Sequence, residues 1–373
     1  MTTLLSLLTL TTFISTGVLT VFAGADENRT KIGSYNVYHD RPHYMALPQR
    51  IKMLGESVHS EGFDILNLQE VPQIRYWADA VRHSKTINWG QTLRSHLSNI
   101  DYNYAEFINQ GKEFEWVSRF QTGLAVLTRY PILKTQELVF RRQENAIPTP
   151  KFMNQGKELE WVSRFQTAFA VLTRHPILKA QELVFSRQES AIPTPILIPY
   201  IPENRSALLV TVKTPNGPLL VVNTHLTGRE NRAIQVKQIR ELMEVIKQQR
   251  RQMPVVLTGD LNAQPDSETI RIITKDYGFT DAMVVTDTVR PTCCRCIKAG
   301  YINSQDVCPV DNPMQDRIDY VFVSLSTSDQ PPIIRSAGVF LDQPSYDSDE
   351  NWLNSSDHIG VKALLEFRQD SGR

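Results

Sequence analysis

The chain has 373 residues, of which 41% are hydrophobic and 21% are charged. This composition can bury a sizeable core, and it excludes an intrinsically disordered protein. Its 40 Lys and Arg residues balance 40 Asp and Glu residues, which argues against a strongly basic nucleic-acid-binding surface or a polybasic membrane anchor.

The N-terminal segment 1–25, MTTLLSLLTLTTFISTGVLTVFAGA, is apolar, lacks charged side chains and ends in Ala23-Gly24-Ala25. These features predict a signal peptide that directs the protein to secretion or to the secretory-pathway lumen. The alternative is an uncleaved membrane anchor, because the stretch is almost long enough to span a bilayer and has no basic N-terminal region. No other segment is long and apolar enough, so we expect no membrane span after cleavage.

Three sequons match the N-glycosylation pattern, at Asn28, Asn204 and Asn354. In the secretory pathway these asparagines would be candidate glycan acceptors. Short sequons also occur by chance, so they support the compartment only weakly.

All four cysteines lie within the short stretch TCCRCIKAGYINSQDVC, at Cys293, Cys294, Cys296 and Cys308. In an oxidising compartment this clustering predicts up to two disulfides that close one loop, with three possible pairings. A zinc site is the alternative, although the C-C-x-C spacing lacks the paired C-x2-C knuckles of structural zinc.

In the N-terminal half, apolar and β-branched residues alternate with helical patterns. The spacing of Ile51, Leu54 and Val58 predicts a helix that stops at Gly62. We predict a strand over 31–38, this helix over 46–62, a buried strand over 63–71, a helix over 77–97 and a strand over 102–107.

The middle of the chain contains a duplication: residues 107–151 are repeated, with few changes, as residues 152–196. Each copy contains an apolar strand, GLAVLTRYPI or AFAVLTRHPI, followed by a second one, ILKTQELVF or ILKAQELVF. A solenoid needs three or more units to bury a continuous core. Two copies therefore indicate a tandem duplication inside a single domain over 26–373.

In the C-terminal half, two β-rich runs flank Pro215-Asn216-Gly217-Pro218, which is a strong hairpin signal. The other predicted elements are a long amphipathic helix over 230–252, a buried strand over 253–262, a short helix over 266–278 opened by Asp266 or Ser267, and strands over 317–324 and 358–367. Strands with helices between them predict a mixed α/β arrangement with helices outside the sheet.

Polar side chains follow the predicted strands where loops converge. They are Asn36, Glu70, His225, Asp260, Asn262, Asp357 and His358, with Asp319 inside the strand RIDYV. Each residue alone is more typical of a turn, a cap or a packed histidine. Together, carboxylates and amides without thiolates favour a hard cation, Mg²⁺ or Mn²⁺.

The motifs SYNV, LQEV, NTHL, GDLNAQP, RIDYVFV and SSDHIGV occur in this order over nearly the whole chain after the leader. This series resembles the endonuclease/exonuclease/phosphatase superfamily, which includes DNase I, exonuclease III and the sphingomyelinases. The resemblance implies a DNase I-like α+β fold, a four-layer α/β/β/α sandwich of two mixed sheets, and metal-dependent hydrolysis of a phosphoester.

The same resemblance implies a role for each matched residue. The metal would be held by Glu70, with Asn36 and Asp357 close to the metal or its waters. Asp260 would orient the attacking water, and Asn262 would hydrogen-bond a phosphate oxygen. The remaining catalytic residues would be His225 and His358, which face the phosphate, and Asp319, which holds one ring nitrogen of His358.

The substrate is less constrained than the fold. Ala263-Gln264-Pro265 follows GDLN and PMQD precedes RIDYV, unlike the motifs of inositol polyphosphate 5-phosphatases. The leader and the neutral charge fit poorly with abasic-site repair. A phosphodiester substrate, either nucleic acid or phospholipid, is therefore expected, without an obligate protein partner. The alternatives are a phosphomonoesterase of the same superfamily and a secreted, catalytically inactive binding module.

The resemblance also bears on the duplication. Enzymes of this superfamily place a strand like GLAVLTRYPI once, between the positions of Glu70 and His225. One copy is therefore surplus in this chain, and we expect the sheet to contain only one of them. Removal of Phe152 to Ile196 is predicted to leave a folded, active enzyme.

Overall fold

A computed structural model describes residues 28–37, 47–75, 86–88, 104–108, 120–122, 152–154, 157–159, 169–173, 177–186, 205–250, 252–293, 297–298, 301–302, 315–324, 332–343, 345–346 and 352–367. The predicted leader 1–25, Asn204, three of the cysteines (Cys294, Cys296 and Cys308) and most of the first repeat copy lie outside these residues.

The strands of the first half are Arg29–Asn36 (β1), Ile65–Gln69 (β2), Pro72–Arg75 (β3), Thr86–Asn88 (β4), Tyr104–Ile108 (β5), Phe120–Thr122 (β6), Phe152–Asn154 (β7), Lys157–Leu159 (β8), Phe169–Thr173 (β9) and Ile177–Val184 (β10). Those of the second half are Ser206–Thr214 (β11), Gly217–His225 (β12), Val255–Asp260 (β13), Phe279–Asp281 (β14), Ile297–Lys298 (β15), Tyr301–Ile302 (β16), Asp319–Ser324 (β17), Ile333–Phe340 (β18), Ser345–Tyr346 (β19), Trp352–Leu353 (β20) and Gly360–Glu366 (β21).

The α-helices are Leu47–Glu61 (α1), Arg232–Arg250 (α2), Glu268–Arg271 (α3) and Ala282–Val285 (α4). A 3₁₀ turn over Arg229–Asn231 precedes α2, and a π-helical turn over Ile272–Asp276 follows α3. The end of α1 follows from glycine chemistry, because Gly62 directly after it has a φ of 63°, which favours glycine over other residues. Of the two predicted N-caps of α3, Ser267 is the one whose side chain accepts from a helix amide, that of Ile270.

Two six-stranded sheets organise the described part of the chain. The first has the order β18-β21-β1-β2-β9-β5, and the second has the order β10-β11-β12-β13-β17-β14. Each is mixed: β1 and β2 are parallel, as are β12 and β13, and the other ladders of both sheets are antiparallel. A parallel pair needs a crossover, and α1 and α2 supply one each.

The core has two parts, one on each face of the second sheet. Along β11, Leu208 faces the first sheet and belongs to the apolar cluster that also includes Leu54 and Val58 of α1. Its neighbour Leu209 faces the other way and packs with Leu242 of α2. This alternation is expected for a strand with both faces covered. The layers and the two mixed sheets confirm the predicted α+β sandwich.

One predicted element is wrong. The helix expected over 77–97 contains a strand, β4, at Thr86–Asn88, which pairs with β3. The cross-strand partner of Ile87 is Ile74. β-branched side chains such as these two favour a strand once a partner strand is adjacent.

The second repeat copy supplies two sheet strands. Phe169–Thr173 (β9) lies between β2 and β5 in the first sheet, and Ile177–Val184 (β10) pairs with β11 in the second. The matching strands of the first copy, in residues 123–140, lie outside the described residues. From the first copy, Phe120–Thr122 (β6) pairs with β3.

None of the helices in the described part of the chain is long and apolar enough to cross a membrane.

Candidate active site

Polar residues from both sheets meet at one end of the sandwich. In the second sheet, His225, Asp260 and Asp319 are Cα partners in one row across β12, β13 and β17. In the first sheet, Asn36 ends β1 beside Gln69, the last residue of β2, and Glu70 follows directly. The hydrophobic pattern of each strand fixes its register, so residues far apart in sequence become neighbours.

Unusual backbone conformations occur at this end of the molecule. Glu70 and Asn262 both have positive φ values, of 54° and 49°, a region that costs free energy for residues other than glycine. Gly259, directly before Asp260, has a φ of 141°, and a Cβ atom there would lie 1.9 Å from the carbonyl oxygen of Thr224. Only glycine allows β13 to pass this close to β12 where both strands deliver site residues.

Asn36 joins the two sheets at the site. Its Nδ2 atom lies 3.1 Å from Oε1 of Glu70 and 3.1 Å from Oδ2 of Asp260, and it donates to both. His225 completes this group: Nδ1 is 3.8 Å from Glu70 Oε1, and Nε2 is 3.4 Å from Asp260 Oδ2. The Asn36 amide therefore bridges the carboxylates of Glu70 and Asp260, and the His225 ring lies beside both carboxylates.

Asn262 shapes the turn after β13. Its backbone N–H donates to Oδ1 of Asp260 at 2.8 Å, so this interaction orients the Asp260 carboxylate. Its Nδ2 atom donates to the carbonyl of Leu226, the residue after His225, at 3.0 Å. Asn262 thus ties the loop after β13 to the loop after β12, and its predicted contact with a phosphate oxygen stays a prediction.

His358 and Asp319 form a buried pair. Nδ1 of His358 lies 2.9 Å from Oδ2 of Asp319, a length typical of charge-assisted hydrogen bonds. Burial opposes the charged ring, but the negative charges of Asp319 and Asp357 and the hydrogen bond that the ring donates to Asp319 raise the pKa of His358 well above its usual value. The other ring nitrogen, Nε2, is 3.7 Å from Asp260 Oδ2 and 3.8 Å from Asp357 Oδ1.

The carboxyl groups of the site are crowded in a water-poor environment. Burial raises the pKa of Asp260 to about 7, with the charges of Asp319 and Glu70 adding to the rise and His358 opposing it. Burial likewise raises the pKa of Asp357 to about 6, where His358 opposes and Glu70 adds. Such shifts mark carboxylates that burial has removed from water and placed beside other negative charge.

The donor set fits a hard divalent cation. Carboxylate oxygens of Glu70, Asp260 and Asp357 and the amide of Asn36 are the ligand types that Mg²⁺ and Mn²⁺ prefer. A cation here would also supply the positive charge that the crowded carboxylates lack. The assignment of Asn36, Glu70 and Asp357 to the metal stays a prediction.

A second grouping also has metal-ligand potential. Among the described residues, ligand atoms of Asp260, Asp319 and His358 all lie within 4.8 Å of one another, and such a group could hold a metal ion. Because Nδ1 of His358 already faces Asp319, we interpret this group as the histidine–aspartate pair with Asp260 beside Nε2.

Arg205 is a site residue that the sequence analysis missed. Its Nη1 atom lies 2.8 Å from Nδ1 and 2.9 Å from Nε2 of His225, so a permanent positive charge borders the histidine. A signal was present: the hairpin register pairs Ala207 with Thr224, and counting back from the predicted turn places Arg205 beside the end of β12.

A buried network that was also missed holds the SSD segment against β1. Arg50, on α1, donates from Nε to the carbonyl of Ser355 at 2.7 Å and from Nη2 to that of Val37 at 2.6 Å. The hydroxyl of Ser356 donates to the carbonyl of Asn36 at 2.7 Å. These bonds fix the residues before Asp357 relative to the end of β1.

Cys293 lies next to the site. Burial raises the pKa of its thiol to about 11, partly offset by the neighbouring His358, and its backbone forms β-bridges with Asp316 and His358. No disulfide is present within the described residues. The other three cysteines lie outside them, so the loop-closing pairing stays a prediction.

Two predicted glycan acceptors are described. Asn28 is half-buried, whereas the Nδ2 atom of Asn354 is buried. A glycan on Asn354 would require this segment to move, because the acceptor atom is inaccessible in the folded domain. Glycosylation at these positions stays a prediction.

Comparison with known proteins agrees with the geometry. The model of the endonuclease/exonuclease/phosphatase family matches residues 33–358, and no curated protein matches the chain. A family protein from Bacteroides thetaiotaomicron is similar in structure, with a TM-score of 0.56, 16% identity, and coverage of 91% of this chain and 98% of that one.

Two other solved structures share the fold. A mannosyl-6-phosphatase from Bacteroides thetaiotaomicron has a TM-score of 0.55 and 16% identity, covering 91% of this chain and 100% of that one. Truncated TDP2 from Caenorhabditis elegans has a TM-score of 0.52 and 16% identity, with coverage of 91% and 97%. With the family match over most of its length and its predicted site residues gathered at one end of a two-sheet sandwich, the chain belongs to the endonuclease/exonuclease/phosphatase family of phosphoester hydrolases.

Proposed function

We propose that this chain is a divalent-metal-dependent phosphodiesterase that hydrolyses a nucleic acid or a phospholipid. The observation that carries the proposal is the row of His225, Asp260 and Asp319 in the second sheet, facing Asn36 and Glu70 from the first. A binding module without catalytic activity would not need acidic, basic and cation-binding side chains gathered at a single site.

The metal would be Mg²⁺ or Mn²⁺, held by Glu70 with Asn36 and Asp357 beside it. When bound, the ion would supply positive charge next to the phosphate and would lower the free energy of the charged transition state. The carboxylates of this group are negative and closely spaced, which supports the choice of a cation for this position.

Asp260 would orient the attacking water. Its carboxylate is held on one side by the Asn262 amide and on the other by Asn36, which leaves it little freedom to rotate. Preorganised contacts of this kind contribute to catalysis by holding the nucleophile in line with the bond that breaks.

His225 and His358 would stabilise negative charge on the phosphate oxygens. The hydrogen bond from Nδ1 of His358 to Asp319 directs Nε2 towards the space near Asp260. Arg205 would strengthen the electrostatic effect of His225, because its guanidinium lies within 2.9 Å of the ring. Asn262 would contribute a further hydrogen bond to the phosphate.

The test uses the mature chain from residue 26 with Mg²⁺, Mn²⁺ or chelator. Bis-p-nitrophenyl phosphate, DNA, RNA and sphingomyelin represent diesters, and p-nitrophenyl phosphate represents monoesters. We expect chelator-sensitive diester cleavage, a kcat about 10²–10⁴-fold lower in His358→Ala, and a higher Mg²⁺ requirement in Glu70→Gln. The matched control is His59→Ala, which removes an exposed histidine on α1. We expect its activity to be unchanged.

The outcomes separate the alternatives. Cleavage of the monoester alone would support a phosphomonoesterase, the activity for which one structural neighbour, the mannosyl-6-phosphatase, is named. Absence of turnover with every substrate and either metal would contradict the proposal and support a binding module. Normal turnover by His358→Ala would refute the role of this histidine.

We also propose that the protein is secreted, on the basis of the apolar leader over 1–25. The full chain expressed in a secreting host should then appear in the culture medium with an N-terminus near Asp26. Recovery with residues 1–25 intact in the membrane fraction would support the anchor instead.

A further inference from the structure

Thr292 is a fully buried residue next to the His358–Asp319 pair. Its side chain is 0% exposed, and its hydroxyl donates to Oδ2 of Asp319 at 2.7 Å. The Oγ1 atom of Thr292 also accepts from the backbone N–H groups of Ile318 and Asp319, both at 3.1 Å. One side chain therefore contacts both the carboxylate and the backbone that carries it.

The hydroxyl of Thr292 is hydrogen-bonded to one of the two oxygens of the Asp319 carboxylate. Oδ2 accepts both from Thr292 and from His358, while Oδ1 is buried and has no hydrogen-bond partner among the described residues. Without the threonine hydroxyl, the carboxylate would keep only its bond to His358. It could then turn about its terminal torsion, which is broad for aspartate.

The backbone of Thr292 fixes the other member of the pair. Its N–H donates to the carbonyl of Asp316 at 2.8 Å, and its carbonyl accepts from Ile359, the residue after His358, at 2.8 Å. Thr292 thus contacts the segment that leads to Asp319 and the segment that carries His358. Through these two backbone hydrogen bonds, Thr292 is attached to the chain segments of both Asp319 and His358.

We propose that Thr292 is a positioning residue for the His358–Asp319 pair, whose hydroxyl holds Asp319 so that Nε2 of His358 points at the substrate phosphate. The proposal rests on the proposed function for its kinetic consequences, but the geometry of the pair can be tested without turnover. Residues that orient a metal-binding histidine from the outer shell typically change metal affinity or activity by about 10–100-fold when altered, and we expect an effect of this size for the orientation of His358.

The kinetic experiment compares Thr292→Val, which keeps the shape but removes the hydroxyl, with Thr292→Ser, which keeps the hydroxyl. We expect kcat to fall about 10–100-fold in the valine variant, with little change in KM, and to recover in the serine variant. Thr258→Val is the matched control: Thr258 is also 0% exposed and donates to a backbone carbonyl, that of Val222, at 3.1 Å.

A double-mutant cycle separates positioning from general stability. If the hydroxyl acts through Asp319, Thr292→Val should lower kcat much less in an Asp319→Asn background than in the wild type. An equal factor in both backgrounds, or a wild-type kcat in Thr292→Val, would overturn the proposal. Thr292→Cys, with a weaker donor of similar shape, replaces the valine variant if that variant does not fold, and its kcat should lie below that of Thr292→Ser.

A spectroscopic readout keeps this test independent of the proposed function. In histidine-labelled protein, the proton on Nδ1 of His358 reports its hydrogen bond to Asp319 by its chemical shift. We expect this signal to move in Thr292→Val or Thr292→Cys and to stay in place in Thr258→Val. An unchanged signal in the Thr292 variants would overturn the positioning role, even if the wild type cleaved no tested substrate.

Discussion

Removing one partner of the buried ion pair between Asp281 and Arg317 should strongly destabilise the fold. Both carboxylate oxygens of Asp281 lie 2.7 Å from Nη2 of Arg317, and the two side chains are only 8% and 6% exposed. Breaking a buried pair from one side costs about 3–5 kcal/mol, because it leaves an uncompensated buried charge. Asp281→Ala also removes the N-cap of α4, the bond to Met283 N–H at 3.1 Å, at about 1 kcal/mol.

The assay is urea unfolding at fixed pH, with thermal unfolding as a second probe. We expect Asp281→Ala to lose about 4–6 kcal/mol, the sum of these two contributions, and the midpoint of thermal unfolding to fall by roughly 10 °C or more. Arg317→Met/Asp281→Leu should lose less than Asp281→Ala alone, because an apolar pair leaves no unpaired charge. The surface pair Arg271–Asp276 is the control.

In that control pair the side chains are 53% and 34% exposed, so Asp276→Ala should cost less than about 1 kcal/mol. A loss below about 1 kcal/mol in Asp281→Ala would refute the reasoning, since it is the range of an exposed pair. A double variant that loses the sum of the two single losses would refute it as well.

Two further predictions concern the backbone and the duplication. Gly259→Ala should sharply lower the midpoint of thermal unfolding and abolish activity, because the new Cβ would lie 1.9 Å from the carbonyl oxygen of Thr224. An unchanged midpoint would contradict the close approach of β13 to β12. Chains that lack either 107–151 or 152–196 should fold with the same circular dichroism spectrum and keep diester cleavage, since the remaining copy supplies a closely similar sequence. Loss of folding in both chains would show that both copies are integral.

The sequence predicted the strands that carry the site because their ends are marked by local chemistry. Asp260 ends the largely apolar strand VVLTGD, and His225 ends the second strand of a hairpin whose turn is marked by Asn216 and Gly217. Asp319, placed inside a strand by the sequence, begins β17. The row that these residues form depends on which strands pair, and pairing is set by the whole core rather than by any local pattern.

Other site residues gave no usable local signal. Arg50 is a charged residue on a helix, where an arginine is normally solvated, yet it is 1% exposed, and its Nε and Nη2 atoms donate to two backbone carbonyls. Thr292 precedes a cysteine cluster that drew the interpretation towards disulfides. The helix expected over 77–97 is contradicted at Thr86–Asn88 for a related reason, since that strand pairs with β3 and the local pattern does not reveal this partner.

The duplicated segment and the active site are connected through the first sheet. β9 pairs on one side with β2, whose last residue precedes Glu70, and on the other side with β5. Both edges of β9 are therefore occupied, so a second copy of this strand cannot enter at the same position without breaking a ladder. In the second sheet β10 lies at an edge, beside β11 alone among the described strands.

One copy is thus needed to support the strand that leads to Glu70, whichever copy supplies it. Removal of one copy should spare catalysis, whereas removal of both should leave β2 with an unpaired edge and abolish it.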